Sequence, residues 1–185
     1  ISVFDGFGLD VPMRHIANSG GDLYFPESHL DMIRPGILLY GVYPEPNSPR
    51  ILDVRPVLNL KSKVSFHKSI PKGFSVSYGA TWTANKDTEI STIPLGYGDG
   101  YRRHFSNRGE VLIGGKRRSI VGRVCMDQFM VSCECDPSKN GDEVVLIGQQ
   151  QDQSIKVEEL SFWADTIPYE ILTNLNERIP RIYNN

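Results

Sequence analysis

Hydrophobic and polar positions change their period along this chain. Up to about residue 47 the apolar positions come in short blocks. Pro26 followed by residues 27–32 predicts a short helix, and Ile37-Leu38-Leu39-Tyr40 is a continuous apolar run that fits a parallel strand buried on both faces. The stretch Tyr43-Pro44-Glu45-Pro46-Asn47-Ser48-Pro49 then stops regular structure and is the best linker candidate. From about residue 55 the period becomes two. Leu58, Leu60, Val64 and Phe66 alternate with polar residues, as do Val76 and Tyr78, then Ile90, Thr92 and Pro94. Apolar runs follow at 111–113, 120–121, 129–131 and 144–147, separated by Gly114-Gly115, Asn107-Arg108-Gly109 and Asn140-Gly141-Asp142, which suit turns. Short strands about ten residues apart predict an antiparallel sandwich or small barrel.

The end of the chain returns to a helical period. Val157, Leu160, Ser161 and Ala164 share one helix face. Thr166-Ile167-Pro168 reads as a second helix start with proline in the first turn, Ile171, Leu172 and Leu175 as its buried stripe, and Pro180 as its stop. The expected organisation is a piece of α/β structure over residues 1–54 and a mainly β domain with C-terminal helices over 55–185.

Composition narrows the partners. The 185 residues are 39% hydrophobic, enough for a core without disulfides or metals. A net charge of −2 and no basic face argue against nucleic acid. No apolar run reaches the roughly 18–20 residues of a membrane-spanning helix. Residues 1–20 lack the pattern of a signal peptide, and the start at Ile1 without Met leads us to expect a piece of a longer protein. Cys125, Cys133 and Cys135 are too few for a zinc cage, and the four histidines show no ligand spacing, so we expect no metal and reduced thiols in the cytoplasm.

Single motifs leave two readings each. Gly96-Tyr97-Gly98-Asp99-Gly100 resembles a nucleotide loop, yet no long helix follows it, so a tight turn or close backbone approach is favoured. Arg34-Pro35-Gly36-Ile37 is either a surface turn or an anion site at a strand end. His15-Ile16-Ala17-Asn18-Ser19-Gly20-Gly21 is either a loop or a phosphate cradle. Tyr78 is by default a packing residue with its hydroxyl at the rim, and Cys125 and Met126 are core fillers.

Taken together the motifs carry more. HIANSGG (15–21), LDMIRPGILLYGVYP (30–44), VSYGATW (76–82), STIPLGYGDGYRR (91–103), IVGRVCMDQFMV (120–131) and YEILTNLNERIPR (169–181) occur in one order across most of the chain. In these strings the chain resembles the alanine racemases, which use pyridoxal 5′-phosphate. The resemblance implies a remnant of a (β/α)₈ barrel over 1–54 and a Greek-key-like β-barrel domain over 55–185. It also implies a homodimer in which the β domain of one chain completes the site of the other.

The implied reaction interconverts L-alanine and D-alanine, supplying D-alanine for peptidoglycan. Racemisation removes a Cα proton on one face and returns one on the other, so it needs two bases. The resemblance assigns one to the Schiff-base lysine of the barrel and the other to Tyr78. A free tyrosine, with a pKa of about 10, needs a cation or donor network to serve as a base near neutrality. Arg34 matches the residue that donates to the pyridine nitrogen while keeping its own proton. Ser19, Gly36 and Ile37 match the phosphate cradle, and Asn18 and His15 flank it. Met126 matches the position whose amide meets the substrate carboxylate, with Asp127 beside it. Tyr97 narrows the approach together with Tyr78, and Arg103 and Arg123 match its access corridor. All eight lysines lie at position 61 or later and match no family lysine, so these residues alone are expected to be inactive. Glu177 stands where some family members carry a tyrosine, which keeps a serine or broad-specificity racemase open. A non-catalytic β-barrel interaction module is the reading from another class.

Overall fold

The computed structural model describes residues 6–8, 12–45, 47–134 and 136–183. Cys135, one of the three cysteines named above, lies outside them. The chain divides into two compact units, Ile1–Arg55 and Pro56–Asn185.

In the first unit, helix α1 (Ser19–Tyr24) is capped by Asn18, whose side chain accepts from the Gly21 amide at 3.0 Å. The segment predicted as a helix after Pro26 is a single 3-10 turn, Pro26–Ser28. The apolar run predicted as a buried parallel strand is also a 3-10 helix, Gly36–Tyr40. Its residues alternate in no strand sense: Ile37 and Leu38 are buried while Leu39 and Tyr40 face out. Pro35 supplies a fixed φ before the turn and Gly41 closes it with its amide on the Ile37 and Leu38 carbonyls, so four apolar residues coil instead of extending. A parallel bridge lies one step earlier, between Asn18 and Arg34. The proline-rich segment is anchored too: the Tyr43 hydroxyl donates to the Leu52 carbonyl at 2.7 Å and accepts from its amide at 2.9 Å.

The second unit is a β-barrel. Its strands are β1 (Leu60–Lys63), β2 (Phe66–Ile70), β3 (Ser75–Val76), β4 (Trp82–Thr83), β5 (Thr88–Ile93), β6 (Glu110–Ile113), β7 (Lys116–Val121), β8 (Phe129–Glu134), β9 (Glu143–Gln150) and β10 (Gln153–Ile155). The main sheet runs β1-β9-β6-β7-β8-β5-β2, and the neighbouring strands pair antiparallel. Strands β6, β7 and β8 follow one another and β9 returns beside β6, which is a Greek key. The two outer strands, β1 and β2, are consecutive in the chain. Val64 still pairs with Asp142 while Ser65 already pairs with Thr92, so one bent strand joins both edges and closes the barrel.

Val111, Leu112, Phe129, Val131 and 144–146 are fully buried and form the centre. Helix α2 (Val157–Trp163) buries Val157, Leu160 and Ser161, as its period predicts, and Ala164 after it is also buried. Helix α3 (Pro168–Asn174) buries Pro168 and Ile171, whereas Leu172 and Leu175 are only half-buried. It stops at Asn174, ahead of the predicted stop at Pro180.

Tyr101 packs against Phe105 and stacks on Phe129, with ring centroids 4.4 and 5.1 Å apart. Its buried hydroxyl has no hydrogen-bond partner among the described residues, and burial pushes its pKa up. An unpartnered buried hydroxyl costs about 1–3 kcal/mol. Tyr101→Phe is therefore expected to stabilise the domain by about 1 kcal/mol, read from the midpoint of a denaturant titration. A lower midpoint would show that the hydroxyl is satisfied.

Candidate active site

Strands β3 and β4 form a short hairpin, with Ser75 opposite Thr83 and Val76 opposite Trp82. Val76 anchors it in a cluster with Ile70, Ala84, Ile90 and Val121. The tip is Ser77 followed by a 3-10 turn, Tyr78–Ala80, so Tyr78 lies off the strand that its alternation with Val76 predicts. Ser77 (φ 65°) and Ala80 (φ 46°) both sit in the left-handed region, at a cost of order 1–3 kcal/mol each.

Side chains from elsewhere hold this tip. The Ser77 hydroxyl donates to the Arg123 carbonyl at 2.7 Å. Asn107 donates to the Thr81 hydroxyl at 3.2 Å and accepts from the Gly122 amide at 2.6 Å, bridging the hairpin to the 122–124 loop. The Arg123 guanidinium lies so close to Gly79 that a Cβ there would stand 3.3 Å from its carbon. Tyr78 itself is 75% exposed, so it is no packing residue.

The 96–101 loop and the 125–128 turn are zipped together. The amides of Tyr97 and Gly98 donate to the Cys125 and Met126 carbonyls at 3.0 and 2.9 Å. A Cβ on Gly96 would stand 2.2 Å from the Cys125 carbonyl oxygen, so the glycine serves close backbone approach. The string folds into a single 3-10 turn, Tyr97–Asp99.

Tyr78, Tyr97, Met126 and Asp127 line one cleft of about 610 Å³, with Ser77, Cys125, Gln128 and Met130. Arg103 lines a second cleft of about 270 Å³ that shares Tyr97. Beside it, Arg102 meets Glu170 at 2.9 Å. The Thr166 hydroxyl and then Arg102 hold the Glu170 carboxyl below its usual pKa.

In the first unit Asn18, Ser19, Arg34, Gly36 and Ile37 come together. The Ser19 hydroxyl donates to the Pro35 carbonyl at 2.6 Å and accepts from the Leu38 amide at 3.4 Å. The Arg34 amide donates to the Ala17 carbonyl at 2.9 Å and its guanidinium to the Ile16 carbonyl at 3.2 Å. Gly36 and Ile37 head their 3-10 helix, so their amides have no acceptor within it. His15 is exposed just upstream. The Gly36 and Ile37 amides, which have no acceptor among the described residues, lie with the Ser19 hydroxyl and the Arg34 guanidinium in a donor set whose chemistry suits a phosphate group.

The sequence profile "Alanine racemase, C-terminal domain" matches residues 57–183, and "Alanine racemase, N-terminal domain" matches residues 2–44. The chain belongs to the alanine racemase family.

Among curated members, the alanine racemase of Carboxydothermus hydrogenoformans is 52% identical over 178 residues, covering 95% of this chain and 48% of that protein. Crystal structures of alanine racemases that cover all of this chain include the following two. That from the D-cycloserine-producing Streptomyces lavendulae has TM-score 0.94 at 39% identity over 49% of its own chain. That from Bacillus anthracis, with bound L-Ala-P, has TM-score 0.92 at 38% identity over 48% of its own chain. The chain thus spans about half the length of the alanine racemases it matches.

Two residues were missed as site residues by the sequence reading. Asn107 is legible only as a turn residue, because its partners Thr81 and Gly122 lie 26 and 15 positions away. Arg178 sits inside a family string yet meets Asp127 across 51 positions, which no local signal announces.

Proposed function

We propose that this chain contributes one base, the substrate cleft and part of the cofactor cradle of a cytoplasmic alanine racemase. The reaction interconverts L-alanine and D-alanine for peptidoglycan precursors. The observation that carries the reading is Tyr78, raised on a strained hairpin tip into the same cleft as Met126 and Asp127. Residues 1–54 are assigned to the family's cofactor barrel and 55–185 to its β domain.

Pyridoxal phosphate, when bound, supplies the electron sink that lets the Cα–H bond ionise. The Ser19 hydroxyl and the Gly36 and Ile37 amides hold its phosphate, flanked by Asn18 and His15. Arg34 donates to its ring nitrogen and, staying protonated, gives that nitrogen no proton. That limits charge delocalisation and favours racemisation over decarboxylation or transamination. The Tyr78 oxygen takes or returns the Cα proton on one face. The Met126 amide, which has no acceptor among the described residues, meets the substrate carboxylate beside Asp127. Tyr97 narrows the approach, and Arg103 and Arg123 line it. The enzyme works as a homodimer, the Tyr78 cleft of one protomer facing the cofactor of its partner.

The test is turnover by a full-length racemase carrying this sequence, supplied with the cofactor. Alanine should be racemised in preference to serine and lysine, and the 185-residue chain alone should be inactive. Faster turnover of serine would replace the substrate assignment. No turnover of any amino acid would overturn the reading.

A further inference from the structure

Beyond α3 the chain doubles back over the glycine loop. The Asn176 amide donates to the Asp99 carbonyl at 3.0 Å, and the Arg178 amide to the Asn176 side chain at 3.1 Å. The Arg178 guanidinium then reaches two carboxylates. Its Nη2 donates to Asp127 Oδ1 at 2.7 Å, and its Nε lies 3.4 Å from Asp99 Oδ1. The other Asp99 oxygen accepts from the Gly96 amide at 2.9 Å, so Asp99 is committed to the loop. Gly98 leaves the space that the guanidinium uses, for a Cβ there would stand 2.4 Å from Nη1.

Both Asp127 and Arg178 are more than half exposed, and exposed ion pairs add little to fold stability. The arrangement matters through charge. Asp127 lines the cleft next to Met126, where an anionic carboxylate is to bind. A bare aspartate there would repel that anion. We propose that Arg178 is a positioning residue that neutralises Asp127 and holds it aside, so that the cleft accepts a carboxylate at the Met126 amide. This rests on the racemase reading for the identity of the substrate, and on the geometry alone for the chemistry of the site.

Two measurements test it. In the full-length enzyme, Arg178→Gln should raise KM for alanine about 10-fold while kcat stays within about 3-fold, the pattern of lost uniform binding. Arg178→Lys should recover much of the loss. The double variant Arg178→Gln with Asp127→Asn should return KM towards the parent value, because it removes the unmatched charge. In the 185-residue chain, acetate is the probe and the amide NMR shift of Met126 the readout. Its affinity should fall about 10-fold in Arg178→Gln and recover in the double variant. An Arg178→Gln variant that leaves both KM and acetate affinity unchanged overturns the proposal, as does a double variant that fails to recover either. Acetate binding that depends on Arg178, in an enzyme that does not turn over alanine, would sink the racemase reading and leave this site standing.

Discussion

Tyr78→Phe in a racemase carrying this sequence should abolish solvent exchange of the Cα proton of one alanine enantiomer while exchange of the other continues. Phenylalanine keeps the ring on its hairpin tip and removes the only atom of Tyr78 able to carry the proton. The equilibrium constant between enantiomers is one, so kcat/KM for net racemisation must fall equally in both directions. The asymmetry therefore has to be read from deuterium washout of each enantiomer separately. Loss of a positioned base costs about 10²–10⁴-fold, and net racemisation should drop by that factor. Equal loss of washout from both enantiomers would overturn the proposal that Tyr78 is one of two bases.

The second large effect is on stability. Phe129 is fully buried at the start of β8, opposite Ile93 in β5 and stacked on Tyr101. Phe129→Ala should cost about 3–5 kcal/mol, because neighbours fixed in a closed barrel collapse poorly into the space left. It should also disturb the cleft, since the turn before it is closed by the Cys125 amide on the Gln128 carbonyl at 2.9 Å. Denaturant titration measures the first effect and KM for alanine the second. A stability loss below about 1 kcal/mol would mean that the core repacks freely.

The legible part of the fold was its period. Alternation marked β1 and β5, whereas β6 and β9 showed only as the apolar runs 111–113 and 144–147, which are buried on consecutive residues. Helix α2 declared itself through the Val157, Leu160 and Ser161 stripe. The 37–40 run misled because four apolar residues carry no period long enough to separate a strand from a 3-10 turn. Tyr78 misled differently. Its spacing from Val76 is that of a strand, but Ser77 turns left-handed between them. That conformation is imposed by Arg123 and Asn107, which hold the tip from distant parts of the sequence. The site motifs were readable as strings. The contacts that orient them, such as Arg178 on Asp127, exist only after the barrel has closed.

That closure has a kinetic side. The strand that seals the barrel is the first to be made, and its partner on β9 comes much later: Lys61 meets Glu143 across 82 positions. At about 5–20 residues per second, roughly 4 to 16 seconds of synthesis separate the two. Over that interval residues 60–63 are an emerged strand with no β9 mate, a template on which another nascent copy can pair. Non-local pairing of this kind also slows folding. The step that completes the barrel is thus the one most exposed to chaperones and to misassembly between neighbouring chains.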